Sequence, residues 1–258
     1  MTPDENVAID LDESRKRLAE GEFAFVDGGC GSGGSIAYCE RIFQKGRGIG
    51  FDSSAEKVAR AVAAGHTACQ ADLGAIDLPS RSVYFVSLLD FLEHLPDLDT
   101  TRSILSNMAR VARDFVFIRH PSFEEVDYLE GLGLKLDWTD WHGHSNMMKL
   151  ADFDRLAREL DLPAPTILGQ KPIADSTHAS IVPLAAPRDT VGYDAERHGA
   201  KDEIRFDRTI YSQYDIFVRV NPDLTAAQWS RITSHVMNPR HVTTMLSPGG
   251  VPSISREG

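Results

Sequence analysis

Over the first two-thirds of the chain, short apolar runs closed by glycine or aspartate alternate with amphipathic stretches. The first twenty residues read as a polar helix leading into a strand, Phe23-Ala24-Phe25-Val26-Asp27. A glycine cluster, Gly28 to Gly34, opens a helical stretch from about Ser35 to Gln44. Gly48-Ile49-Gly50-Phe51-Asp52 is a second strand, and Ser53 or Ser54 caps an alanine-rich helix, because a serine hydroxyl accepts from orphan first-turn N–H groups. Thr67 to Gln70 is a third strand, and Ser82 to Leu89 is the near-continuous apolar run of a strand buried on both faces. A helix over about Leu98 to Ala112, a strand at Phe115 to Arg119 and a helix carrying Phe153, Leu156, Ala157 and Leu160 continue the series. Such alternation predicts parallel strands joined by helical crossovers.

The pattern then breaks. Thr166 to Ile173 and His178 to Leu184 are extended runs joined by four residues, which leaves no room for a helix and predicts an antiparallel hairpin. The expected fold is therefore a three-layer, doubly wound α/β sheet of seven strands, mostly parallel and ending in an antiparallel hairpin. Three parts are expected: an N-terminal helical segment at 1–20, the α/β domain at 21–185, and an appendage at 186–258 serving as lid or oligomer arm. That appendage holds a strand, Tyr211 to Val220, a helix, Thr225 to Val236, and an end rich in serine, proline and glycine.

Composition narrows the partners. The 258 residues carry a formal charge of −11, a poor match to a nucleic-acid partner held by phosphate contacts. The densest basic group, Arg15, Lys16 and Arg17, fits a solvated helix face. No stretch approaches the ~18 consecutive apolar residues of a membrane helix, and the N-terminus lacks an apolar signal core. Three cysteines (Cys30, Cys39 and Cys69) without metal spacing fit a reducing compartment. The expectation is a cytoplasmic protein that inserts in no membrane and acts on a small molecule, with a homodimer possible.

The glycine cluster admits two readings. Gly29-x-Gly31-x-x-Gly34 fits a dinucleotide fingerprint, which would make the chain a nicotinamide-dependent oxidoreductase. The same residues read as Asp27-x-Gly29-x-Gly31-x-Gly33. A carboxylate beside the cradle repels a pyrophosphate but suits a ligand with an ammonium and a sulfonium, namely S-adenosylmethionine, while glycines permit close backbone approach. Asp52, Asp72 and Asp90 follow the next three strands. In an open parallel sheet, ligands bind beyond the carboxyl ends of strands, so these acids share one address. Asp52 is placed for ribose hydroxyls and Asp72 for an adenine amine.

With these segments the chain resembles the class I S-adenosylmethionine-dependent methyltransferases. The resemblance rests on Val26 to Gly33, Gly48 to Ser54, Ala71-Asp72-Leu73 and Leu89 to Leu95, and spans about residues 20 to 185. It implies that Asp27, Gly29, Cys30, Gly31 and Gly33 form the methionine end of the site. It further implies that Asp52 and Ser53 hold the ribose, Asp72 and Leu73 the adenine, and that Asp90 and Phe91 line the region of the methyl group. The chain departs from the family pattern at Gly28, where an apolar residue is usual, and at Val83-Tyr84, where an acid commonly stands.

A hydroxyl acceptor needs a general base. The segment Asp137 to Asn146 holds two of the 3 tryptophans and two of the 9 histidines, a composition suited to a substrate wall with a proton acceptor. His142 or His144 is the first candidate base, then His120, with Glu93 behind. His94 is expected in a helix-capping or cofactor-side role. Glu93, His94 and the later histidines are a conceivable metal set, but no ligand spacing is diagnostic, so no metal is assigned. The segment after the fourth strand is not the Asn-Pro-Pro-aromatic of adenine or glutamine amino-methyltransferases, and no cysteine follows a proline, which argues against cytosine carbon-5 chemistry. A small-molecule, saccharide or lipid-linked acceptor methylated on oxygen is the favoured reading. A non-catalytic binding protein that keeps the cofactor fold is the third alternative.

Overall fold

The computed structural model describes residues 8–237 and 244–246. The first seven residues of the expected N-terminal helix and the Ser-, Pro- and Gly-rich end from 247 lie outside the described residues. The elements run α1 (Leu11–Ala19), β1 (Phe25–Gly28), α2 (Gly34–Phe43), β2 (Gly48–Asp52), α3 (Ala55–Ala63), β3 (Thr67–Gln70) and β4 (Val83–Leu89). A 3₁₀ turn at Leu92–His94 precedes α4 (Leu98–Val111), β5 (Ala112–Pro121), α5 (Val126–Gly131), β6 (Leu134–Leu136) and α6 (Leu150–Glu159). Then come β7 (Thr166–Asp175), β8 (Ile181–Pro183), α7 (Ala195–His198), β9 (Arg205–Arg219), α8 (Ala226–Ser234) and β10 (Thr244–Leu246). The helix starts follow local chemistry: Asp10, Ser54, Asp97 and Thr225 each accept a first-turn backbone N–H.

The main sheet has the order β10-β7-β9-β5-β4-β1-β2-β3. Strands β1 to β5 are mutually parallel, as the alternation predicts, and β9 is antiparallel to both of its neighbours. The order reverses between β1 and β4, so the carboxyl ends of these two strands flank the crevice where such sheets bind ligands.

The expected hairpin is corrected. Residues 166–173 do lie in the sheet, but their antiparallel partner is β9. Residues 181–183 pair instead with β6 in a separate two-stranded sheet. The strand placed beside β5 is thus supplied from beyond residue 185. Its core-facing residues Tyr214, Ile216 and Val218 continue the apolar surface of β5 across the sheet.

Helices cover both faces. Residues of α1, α4 and α6 pack with Val26, Val86, Val116 and Ile216 on one side. On the other, α2, α3 and α8 cover Phe25, Phe85, Phe115 and Phe217. Register sets these rings side by side: Phe25 opposes Phe85, and Phe85 opposes Phe115. Their centroids are 4.8 and 5.0 Å apart in near-parallel stacks, with Phe43 of α2 tilted across the row. A smaller apolar cluster, including Leu129, Leu136, Ile173, Ile181 and Ile210, sits beneath the two-stranded sheet. No described helix is long and apolar enough to cross a membrane.

Candidate functional site

A cleft of about 820 Å³ opens at the carboxyl ends of β1, β2, β3 and β4. Its lining includes Gly29, Cys30, Gly31, Asp52, Ser53, Asp72, Leu73, Asp90 and Phe91, all expected from the sequence. Asp27 and Gly33 do not line it. Asp27 is fully buried below the floor, its carboxylate accepting from the hydroxyls of Ser35 and Ser87 at 2.5 Å each. Ser35 does line the cleft, so Asp27 meets the site through that hydroxyl. Gly33 ends the loop at φ +92° and caps α2, where a Cβ would meet the His66 ring at 2.4 Å.

The loop's geometry separates the two readings of its glycines. The N–H groups of Gly29 and Cys30 both donate to the Phe51 carbonyl, that of Gly31 to Asp52 at 3.0 Å, and that of Gly33 to the Cys30 carbonyl. A pyrophosphate cradle needs such donors aimed at its ligand. Here four of them are committed within the protein, and a buried carboxylate lies below the loop. Gly29 is required for another reason: at φ +70° its missing Cβ would lie 2.3 Å from the Phe91 ring, which closes the cleft wall. Asp52 accepts from Gly31 and Ser54 and stays nearly buried, a fixed pair of acceptors beside the cleft.

Burial pushes the Asp27 carboxyl up to about 7, against the lowering effect of the Ser35 and Ser87 hydroxyls. The folded chain therefore keeps this proton to higher pH than the unfolded chain does. Stability from this group is full below about pH 4 and declines until about pH 7. Asp27→Asn removes the titration, so its stability relative to wild type should rise between pH 4 and 7 and level off above. Denaturant melts at four pH values read this; a difference independent of pH would refute it.

Two cleft residues and a buried partner behind them had no role in the sequence reading. Arg119 on β5 donates to both carboxylate oxygens of Asp215 on β9, at 2.8 and 3.0 Å, and to the Tyr38 hydroxyl at 2.7 Å. Its guanidinium also lies 4.4 Å from the Tyr38 ring centroid. Arg119 and Tyr38 line the cleft, while Asp215 lies behind them, 1% exposed. The register explains the pair, since Arg119 and Asp215 are directly opposed across β5 and β9. The signal was an arginine ending an apolar strand, but its partner could not be found without knowing that β9 follows β5 in space.

A second cavity of about 650 Å³ adjoins the first, and Asp90 and His94 line both. Its walls include Glu93, Trp138, His144, Lys171, His178 and Gln213. The predicted candidates separate here. Glu93 and His144 lie in this cavity. His120, the residue after Arg119, points to the opposite face as strand alternation requires, and packs against Phe153 of α6 at 5.2 Å. It is fully buried, and burial pulls its imidazole down to about 4. His142 lies on the outer side of its loop, largely exposed and 3.0 Å from the Asp189 carboxylate, and lines neither cavity.

The segment 137–146 is pinned from both sides. The Gly192 N–H donates to Asp137, Arg188 donates to the Asp140 carbonyl, and Lys135 donates to Asp140. Asn146 bonds to the Leu92 and Glu93 carbonyls and to Thr101, which brings the segment against the 3₁₀ turn after β4. His94 and His144 thereby approach to 5.2 Å between ring centroids, and ligand atoms of Glu93, His94 and His144 lie within 4.8 Å of one another. Both imidazoles bond through Nδ1 to backbone carbonyls, of Gly143 and Trp138 respectively, each at 2.8 Å. A carbonyl only accepts, so Nδ1 carries the hydrogen and Nε2 keeps a lone pair. Glu93 is 2% exposed; its Oε2 has no hydrogen-bond partner among the described residues, and burial pushes the carboxyl up to about 8.

The doubly wound sheet with one antiparallel strand beside β5 is a Rossmann-like methyltransferase fold. Residues 25–114 match the family model described as a methyltransferase domain. In fold it is similar to a SAM-dependent methyltransferase from Archaeoglobus fulgidus, at 15% identity and a TM-score of 0.53 over 81% of this chain and 93% of that one. A putative methyltransferase of Haloferax volcanii, solved with the Trm112 activator, matches at 17% identity and a TM-score of 0.49 over 81% and 92%. A putative methyltransferase from Bacillus halodurans matches at 15% and 0.48 over 81% and 99%. No curated protein sequence matches the chain.

Proposed function

We propose that the chain methylates an oxygen of a small molecule, with the methyl donor in the first cleft and the acceptor in the second. The observation that carries this reading is the meeting of the two cavities at Asp90 and His94. A shared border lets donor and acceptor be held in near-attack geometry, which supplies much of the rate of an in-line displacement.

The donor is S-adenosylmethionine, and its site is assigned residue by residue. Asp52 accepts from ribose hydroxyls through the lone pairs its backbone bonds leave open, and Asp72 with Leu73 borders the adenine. Gly29, Gly31 and Ser35 flank the methionine end, with Tyr38 and Arg119 as its polar wall. When bound, the donor supplies the methyl group: the acceptor oxygen attacks the methyl carbon, and the carbon–sulfur bond breaks with its electron pair left on sulfur, releasing S-adenosylhomocysteine. Phe91 and Trp138 form apolar surface that limits water access to this region. Glu93, His94 and His144 face the acceptor and lower the cost of ionising its hydroxyl. His142, bonded to Asp189 on the outer side of the loop, has no part in this.

Calorimetric titration tests the donor site. S-adenosylmethionine and S-adenosylhomocysteine should bind and NADH should not. Asp52→Ala should lose about 1.5–3 kcal/mol of affinity, the value of hydrogen bonds to a charged acceptor. Binding of NADH alone, or unchanged affinity in the variant, would overturn the assignment.

A further inference from the structure

We propose that Glu93, His94 and His144 bind one divalent transition-metal ion, through Glu93 Oε2 and the two imidazole Nε2 atoms, where the acceptor cavity meets the cofactor cleft. Four observations converge on it. The ligand atoms of the three residues already lie within 4.8 Å of one another. Tetrahedral ligands at ~2.1 Å from a metal stand about 3.4 Å apart, so small side-chain rotations close the site. Glu93 is a buried carboxylate whose Oε2 has no hydrogen-bond partner among the described residues, a costly arrangement that a cation at this spot relieves.

The histidines are prepared for the same purpose. In both, Nδ1–H is spent on a backbone carbonyl at 2.8 Å, which orients the ring and leaves Nε2 as the donor. Metal-ligating histidines almost always have their second nitrogen held in this way. Finally, the site is braced. Asn146, two residues after His144, is bonded to both Leu92 and Thr101, so the loop that brings His144 is fastened to the turn that carries Glu93 and His94.

The donor set selects the ion class. Two imidazoles and one carboxylate suit zinc, manganese, iron or cobalt, whereas magnesium and calcium prefer all-oxygen shells. Three protein ligands leave coordination positions open toward the cavity. Resting on the function proposed above, the ion is the means by which an acceptor hydroxyl is ionised near neutral pH: it stabilises the oxyanion while the proton leaves to solvent. Ion binding itself does not depend on that reading.

The test uses the full-length protein freed of metal with a chelator. Titration with Co²⁺, followed by its visible absorption, and with Mn²⁺ and Zn²⁺ by calorimetry should give one site per chain. Affinity should fall at least 30-fold in Glu93→Gln and in His144→Ala and should hold in His142→Ala. Because a variant can fail to fold, pulsed magnetic resonance of Mn²⁺ on the wild-type protein provides a second reading, with couplings to two imidazole nitrogens expected. Absence of binding to wild type, a Mn²⁺ spectrum without nitrogen coupling, or equal affinity in folded Glu93→Gln overturns the site. S-adenosylmethionine affinity measured in parallel separates the two proposals. Donor binding without metal binding sinks only the ion; metal binding without donor binding sinks only the methyltransferase assignment of the cleft.

Discussion

Asp215→Ala is expected to destabilise the protein by about 3–5 kcal/mol, the cost of leaving one member of a buried ion pair without its partner. Asp215 is 1% exposed and Arg119 only 15%, and the two are joined by parallel hydrogen bonds of 2.8 and 3.0 Å. Removing the carboxylate strands a guanidinium that cannot give up its charge. The Tyr38 hydroxyl, at 2.7 Å, offers a neutral partner in place of an anion. Domains of this size are commonly stable by only ~5–15 kcal/mol, so the loss should show as a large drop in denaturation midpoint. Arg119→Met with Asp215→Leu, which removes both charges, should recover most of it, because a buried pair replaced by apolar residues is often neutral. If Asp215→Ala melts within about 0.5 kcal/mol of wild type, the pair is not the internal bond described. Loss of donor affinity in the folded double variant would further mark Arg119 as part of the cofactor wall.

His144→Ala should lower turnover by about 10²–10⁴-fold while leaving S-adenosylmethionine affinity within twofold. His144 lines the acceptor cavity, and its Nδ1 is occupied by the Trp138 carbonyl, so its Nε2 is the atom available for chemistry. It does not line the donor cleft. The separation of turnover from donor affinity is what distinguishes this role from a structural one. His142→Ala should retain full turnover, since His142 is exposed and bonded to Asp189. Equal losses from both substitutions would mean that the loop acts as scaffolding. A normal rate in His144→Ala would remove the acceptor assignment of the second cavity.

The alternation of apolar runs and turn residues made β1 through β5 legible, with α2, α3, α4 and α6, because each crossover is local and the first four strands close at or just before a glycine or an acid. Of the two serines read as candidate caps, Ser53 and Ser54, the cap is Ser54. The antiparallel end of the sheet was not legible. Residues 166–173 and 178–184 have the composition and spacing of a hairpin, and nothing local marks that the second run pairs with β6 instead. Pairing of β9 with β5 joins residues almost a hundred positions apart, a tertiary fact without a short-range signature. The donor cleft was readable because its acids follow consecutive strands. In the second cavity the sequence allowed Glu93 and His94 to gather with a later histidine but did not say which one, since His144 is brought there by Asn146, whose bonds to Leu92 and Thr101 no spacing announces. His142 and His144 look alike in sequence. The turn between them sends one outward to Asp189 and the other into the cavity.

The placement of β9 also governs the order in which the molecule can be completed. A nascent chain that has emerged only to residue 200 contains the whole donor cleft except its back wall. Arg119 then faces an open seam where Asp215 belongs, and β5 presents an unpaired edge along Phe115 to Pro121. Such edges invite pairing with other chains. Contacts of high sequence separation also form slowly. When β9 arrives, it closes that edge and neutralises its buried charge at once. The step that completes the donor cleft is therefore also the one that protects the protein from self-association during its synthesis.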